Sequence, residues 1–119
     1  MDKFSLIALW DVYGGLFTKT RREIASMYFD MDLTVSEIAA EKGITRQAVS
    51  ECVNDIKKQL TEYEESLGVL KRMNALKAKT ESLYTAVKNW TESFKAAHPE
   101  SGAEAEKLFA EAEKILKRQ

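Results

Sequence analysis

The sequence predicts an all-α protein that contains a helix-turn-helix, followed by a long helix and a C-terminal helical extension. Three observations lead to this prediction. Apolar residues recur at three- and four-residue steps through most of the chain, as they do on the buried face of a helix. The single proline, Pro99, leaves long helices uninterrupted. The segment from Thr34 to Asn54 holds two helix starts with a glycine between them.

The first two helices are predicted from the spacing of apolar residues. The segment from Phe4 to Tyr13 follows Asp2, which can cap a helix, and precedes a pair of glycines that would end it. A second helix is expected from about Thr18 to Phe29. The residues expected to be buried in these two helices are Phe4, Leu6, Ile7, Trp10, Tyr13, Ile24, Ala25 and Tyr28.

The next two helices are predicted from their caps. Thr34 and Glu37 have the spacing of a capping box, in which each side chain accepts a hydrogen bond from the other residue's backbone N–H. Gly43 can adopt the left-handed conformation that ends a short helix, and Thr45 can cap the helix that follows. This order of cap, glycine and cap is typical of a helix-turn-helix.

Side chains of this helix pair separate into an inner and an outer set. Ala39 is small where the two helices would cross. The inner set, expected to form a shared apolar core, is Ile38, Ile44, Val49 and Cys52 or Val53. The outer set, expected to face solvent or a ligand, is Arg46, Gln47, Ser50, Glu51 and Asn54.

The fourth helix is predicted to be long and to need a helical partner. Its apolar residues alternate three- and four-residue steps through Val49, Val53, Ile56, Leu60, Tyr63, Leu67 and Leu70. The register changes at Gly68, where a bend or a hairpin is expected. The second frame comprises Val69, Met73, Leu76, Leu83, Val87, Trp90 and Phe94. We expect Trp90 and Phe94 to pack in a core; the alternative is that they anchor a partner protein. The row of apolar residues could also form the contact between two copies of the chain in a homodimer.

A basic arm lies between Leu67 and Pro99. Its bases are Lys71, Arg72, Lys77, Lys79, Lys88 and Lys95, against only two acids, Glu81 and Glu92. The arm either follows RNA phosphates, with Lys71, Arg72 and Lys77 among the best candidates, or is simply a solvated face. After a linker near residues 98–102, a short amphipathic helix ends in Lys117 and Arg118. We therefore expect a helix-turn-helix domain over 1–66 and a helical extension over 67–119.

Composition excludes several classes of protein. The net charge of −1 argues against coating nucleic acid through bulk electrostatics, so any nucleic-acid contact is local. With one cysteine, Cys52, and one histidine, His98, neither an internal disulfide nor a zinc site is expected. Neither a secretory signal nor a membrane span is apparent, which favours the cytoplasm. No motif indicates an enzyme or a bound cofactor.

A nucleic-acid contact would use the start of the fourth helix. Arg46 and Gln47 can donate to base edges or phosphates, and Thr45 can hold a phosphate at the helix N-terminus. Further contacts are expected from Ser50 and Asn54 on the same face, and Lys57 and Lys58 can touch the backbone. Four acids lie around this face: Glu37, Glu41, Glu51 and Asp55. Because they repel phosphate groups, the affinity for duplex DNA should be modest.

The segment LTVSEIAAEKGITRQAVSECVNDIKKQL is similar to the last helix pair of sigma-factor region 4. More closely, LWDVYGGLFTKTRREIASMYFDMDLTVSEIAAEKGITRQAV, followed by EYEESL, resembles the YlxM family of small bacterial helix-turn-helix proteins. The likeness covers roughly the N-terminal two-thirds of the chain. It identifies Thr45, Arg46, Gln47 and Ser50 as recognition-helix residues, and Tyr28, Phe29 and Leu33 as the entry to the motif.

The resemblance implies an accessory role in the signal recognition particle pathway, with the targeting GTPase or its RNA as partner. The alternative is a DNA-binding transcriptional regulator; a purely structural interaction protein is the third hypothesis. Two features depart from the family pattern. Lys42 stands where sigma-type motifs place an apolar core residue, which is expected to loosen the helix pair. The segment after Leu70 is longer and more individual, so its role cannot be carried over.

Overall fold

The computed structural model describes residues 2–117 and confirms the all-α prediction. Its helices are α1 (Lys3–Tyr13), α2 (Lys19–Phe29), α3 (Val35–Lys42), α4 (Arg46–Leu67), α5 (Val69–Ala97) and α6 (Gly102–Leu116). Short 3-10 turns cover Gly14–Leu16 and Pro99–Ser101. The chain divides into two compact units, Met1–Lys71 and Arg72–Gln119. Arg118, predicted in the last helical turn, lies outside the described residues.

The first unit is built around α4, which packs against α1, α2 and α3. One core cluster joins the start of the chain to the middle of α4; its buried members are Leu6, Leu9, Trp10, Tyr13, Phe17, Ala25, Phe29, Ile56 and Leu60. The second cluster lies under the helix-turn-helix and contains Ile24, Ile38, Ala39, Val49 and Val53. The predicted seam of α4 therefore finds its helical partners within its own unit.

The predicted helix ends are confirmed. Asp2 Oδ1 accepts from the backbone N–H of Ser5 at 2.7 Å, which caps α1. Thr34 Oγ1 accepts from Glu37 N and Glu37 Oε1 accepts from Thr34 N, each at 3.1 Å, so both halves of the capping box form. Gly43 ends α3 with a φ of +67°, in the left-handed region that favours glycine.

Gly68 separates α4 from α5, as the change of register predicts. Its φ of +59° places it in the left-handed region, and a carboxylate on α4 caps the new helix. Glu64 accepts from the backbone N–H groups of Leu70 at 3.1 Å and Lys71 at 3.0 Å. The Tyr13 hydroxyl donates to Glu64 at 2.6 Å and accepts from Val69 N at 3.1 Å. These bonds tie the first turn of α5 to α1 and α4.

The second unit is an antiparallel helix pair. Lys95 forms an ion pair with Glu106, and Tyr84 Oη donates to Glu113 at 2.9 Å, so α6 runs back along α5. The Tyr84 and Phe109 rings pack with their centroids 5.8 Å apart. None of the helices in the described chain is long and apolar enough to cross a membrane.

Several predictions of burial are wrong, including those for Met73, Leu76 and Leu83 of the second apolar frame, which are each more than half exposed. Phe4 is 86% exposed because it projects from the first turn of α1, and Ile44 is 42% exposed in the turn. Leu67 lies beyond the last residues of α4 that the core covers and is 47% exposed. Trp90, which was expected to lie in a core, is 61% exposed, although its ring stacks on the Phe94 ring with the two centroids 5.1 Å apart. The helical residues of this set lie on apolar stripes that no other element covers within residues 2–117.

Candidate nucleic-acid interface

The first turn of α4 projects from a rigid support. Thr45 Oγ1 accepts from Ala48 N at 3.0 Å, which fixes the direction in which α4 begins. Behind it, Ile38 on α3 and Val49 on α4 are fully buried in the shared core. The backbone N–H of Ile44 donates to Ala39 at 3.1 Å and closes the turn. This is the geometry of a helix-turn-helix, with the start of its second helix exposed.

The predicted recognition residues lie together on this first turn. Thr45, Arg46 and Gln47 are exposed, whereas Ser50 is half-buried one turn further on. Arg46 Nη1 donates to Ser36 Oγ at 3.3 Å, which holds the guanidinium beside the start of α3. Gln47 Nε2 donates to Glu51 at 3.3 Å. Both donors are thus oriented by weak bonds that a ligand can replace.

The acids around this face are partly engaged. Glu37 accepts within the capping box, and Glu51 accepts from Gln47. Asp55 lies 3.5 Å from Arg21 Nη2, so a base on α2 compensates its charge. Glu41 is exposed. The ion pair with Arg21 therefore offsets one of the four negative charges around this face, and the other three acids keep the face from being strongly basic.

The remaining candidates on α4 differ in accessibility. Asn54 and Lys58 are exposed and free to reach a backbone phosphate. Lys57 is half-buried, donates to the Tyr28 hydroxyl at 3.1 Å and lies over that ring at 4.9 Å. Lys3 lies over the same ring at the same distance. The grouping of Lys3 and Lys57 around the Tyr28 ring could not be predicted from the sequence, because the three residues are far apart in the chain.

Lys42, the residue that departs from the sigma-type pattern, pairs with an acid on α2. Its ammonium forms an ion pair with Glu23 on α2, and both side chains are partly covered. The bond from Lys42 holds the pKa of the Glu23 carboxyl below its usual value. Lys42 therefore stands where sigma-type motifs have an apolar residue, and its charge is paired with that of Glu23 on α2.

Cys52 touches both core clusters from the inner side of α4. Burial raises the pKa of its thiol, and nearby Asp55 adds to the increase while Arg21 opposes it. The thiol is thus disfavoured as a reactive thiolate. In the described part of the chain, no group of histidine, cysteine and acidic side chains is arranged to hold a metal ion.

The three basic-arm candidates are all exposed. Lys71 is in the first unit, where its backbone N–H bonds Glu64 while its side chain projects from the first turn of α5. Arg72 and Lys77 are on the same helix, in the second unit. Lys77 borders a groove together with Tyr84 and Lys117. The three bases are therefore divided between the two units, with Lys71 in the first and Arg72 and Lys77 in the second.

Comparison with known proteins identifies the family to which the chain belongs. A UPF0122 protein of Ureaplasma parvum serovar 3 is 36% identical over 85 residues, covering 71% of this chain and 82% of its own length. A UPF0122 protein of Clostridium botulinum is 34% identical over 71 residues, covering 60% of this chain and 65% of its own length. No solved structure matches the chain. The UPF0122 family model, described as "Putative helix-turn-helix protein, YlxM / p13 like", matches residues 1–98. The chain therefore belongs to the UPF0122 family of YlxM/p13-like helix-turn-helix proteins.

Proposed function

We propose that this protein is an accessory factor of the signal recognition particle pathway that binds the particle's RNA or its targeting GTPase. It acts in the cytoplasm by binding and supplies no chemistry of its own. The observation that carries the binding role is the exposed first turn of α4, supported by a capped and buried helix pair. The choice of this pathway rests on the family resemblance.

RNA is the nucleic acid that the charge distribution favours. Reading duplex DNA requires a helix to enter a groove lined by phosphates, and acids such as Glu41 and Glu51 border the first turn of α4. The loops and bulges of RNA expose bases and phosphates at many angles, so a few exposed donors suffice. Arg46 and Gln47 supply such donors on the helix-turn-helix, and Lys71, Arg72 and Lys77 supply charge on α5.

Charge reversal on the basic arm is expected to weaken RNA binding. Lys71→Glu, Arg72→Glu and Lys77→Glu remove three phosphate contacts, so the slope of log affinity against log salt should become shallower by about 2. The measurement is a fluorescence-anisotropy titration of signal recognition particle RNA at several salt concentrations. Lys107→Glu with Lys114→Glu, on exposed positions of α6, is the control and should leave that slope nearly unchanged. An unaltered slope in the triple variant would remove the arm from the interface.

A DNA-binding transcriptional regulator is the alternative function. The helix-turn-helix geometry favours it, because the same exposed first turn can enter a major groove. The two functions predict different ligands for Arg46 and Gln47. Selective binding to one duplex sequence, lost on replacing these residues, would support the regulator and reject the role in protein targeting.

A further inference from the structure

A groove of about 470 Å³ lies between α5 and the end of α6, inside the second unit. Small-molecule sites in proteins have volumes of roughly 300–1,000 Å³, so the groove has room for a ligand of that class. Its lining combines the ring of Tyr84 and the hydroxyls of Thr80 and Thr85 with charges of both signs, from Lys77, Glu81 and Lys117. A ligand that matches this lining has a planar ring, a hydrogen-bonding edge and an anionic group.

Two opposite charges in the groove, on Lys77 and Glu81, are not used by the fold. They are one turn apart on α5, with the lysine nearer the N-terminus, which is the less favourable order for an ion pair along one helix. Within residues 2–117 neither side chain forms an ion pair or a hydrogen bond, whereas Lys95 on the same helix pairs with Glu106. Both side chains are exposed, so both can engage a ligand.

The Tyr84 ring is held in place, whereas the ammonium over it is held weakly. Tyr84 Oη donates to Glu113 at 2.9 Å, and the ring packs against that of Phe109. Lys117 Nζ lies 5.3 Å from the Tyr84 ring centroid and 3.8 Å from Glu113, on a side chain that is 63% exposed. Exposed contacts of these two kinds are weak. A planar ligand can therefore replace the ammonium over the ring, and the released ammonium can bind the ligand's anionic group.

The carboxylate of Glu81 selects among planar ligands that carry a phosphate. A carboxylate only accepts hydrogen bonds and has two oxygens, so it is best matched by an edge with two adjacent donors. Guanine has such an edge, because its N1–H and its 2-amino group lie side by side. Adenine and cytosine place an acceptor beside the amino group, and uracil places an acceptor on each side of its one donor. Among the RNA bases, guanine is therefore the one that Glu81 fits.

We propose that this groove binds a guanine nucleotide, either free or as an unpaired residue of an RNA strand. The base stacks on the Tyr84 ring, its Watson–Crick edge donates two hydrogen bonds to the Glu81 carboxylate, and Lys77 and Lys117 bind the phosphate. The site does not rest on the proposed role in protein targeting, because a mononucleotide supplies every group that the groove contacts. Lys77 also belongs to the basic arm, so the test identifies the site through Glu81.

Isothermal titration calorimetry of the full chain with mononucleotides tests the site. GMP should bind roughly 10-fold more tightly than AMP, and IMP, which lacks the 2-amino group, should fall between them. Glu81→Gln should lower the affinity for GMP roughly 10-fold and abolish the preference over AMP, because an amide has only one accepting oxygen. The control, Glu92→Gln, removes the same charge elsewhere on α5 and should keep both affinities within about twofold. Absent GMP binding, or a GMP preference that survives Glu81→Gln, overturns the proposal.

Inorganic phosphate and short RNA strands complete the test. Phosphate that binds as tightly as GMP would mean that the two lysines attract any anion, and it would also overturn the proposal. Two strands of uridine, one with a central guanosine and one with a central adenosine, distinguish the sources of the ligand. A guanosine strand that binds more tightly than GMP assigns the site to RNA, and the reverse order assigns it to a free nucleotide. Failure to bind signal recognition particle RNA or the targeting GTPase would reject the proposed function while leaving the preference for GMP over AMP intact.

Discussion

Replacing Arg46 and Gln47 together by alanine is expected to lower the affinity for signal recognition particle RNA by on the order of 100-fold, because each well-placed contact contributes roughly 1–3 kcal/mol. Both side chains are exposed on the first turn of α4, and within residues 2–117 each donates one side-chain hydrogen bond, Arg46 to Ser36 and Gln47 to Glu51. Their loss leaves the core untouched, so the unfolding midpoint should change little. The measurement is an RNA titration near physiological salt.

Arg22→Ala with Thr20→Ala is the matched control for this variant. Both residues are exposed on α2, outside the helix-turn-helix, and the pair also removes one guanidinium and one polar group. RNA affinity should remain within about twofold of the wild type, since surface changes away from an interface contribute little. Equal losses in both variants would mean that the effect is general electrostatics and that α4 does not read the ligand.

Leu60→Ala is expected to produce the largest loss of stability, about 3 kcal/mol. Leu60 is fully buried where α4 meets the cluster around Leu9 and Tyr13, and truncation leaves a cavity that the neighbouring helices cannot fill. The measurement is the free energy of unfolding from urea denaturation. Leu67→Ala is the control, because that side chain is 47% exposed on the same helix and its truncation should cost under about 1 kcal/mol. Similar losses at both positions would contradict the described core.

Local rules account for the parts of the fold that the sequence predicted well. Thr34, Thr45 and Gly43 act on backbone groups within a few residues, so their caps follow from spacing alone. The break at Gly68 was likewise visible as a change in register. The pairing of Tyr13 with Glu64 was not, because the two residues are 51 positions apart and neither is unusual in its local context.

Apolar periodicity locates a face but does not say what covers it. Ile38 and Val49 are buried because α3 and α4 fold onto each other. Trp90 follows an equally regular pattern and is exposed, since α6 covers only one side of that seam. At the candidate site, too, the sequence predicts which residues lie on a face but not which tertiary contacts they form. Exposure of Arg46 and Gln47 followed from helix geometry, whereas the engagement of Lys57 by Tyr28 depends on tertiary contacts.

The most direct test of the proposed function is a side-by-side titration of the purified protein against three ligands, at low and near-physiological salt. The ligands are signal recognition particle RNA, its targeting GTPase and random duplex DNA. The proposal predicts binding to the RNA or the GTPase that persists at near-physiological salt, with negligible affinity for DNA. Selective binding to duplex DNA, with neither particle component bound, would contradict the account and assign the helix-turn-helix to transcription.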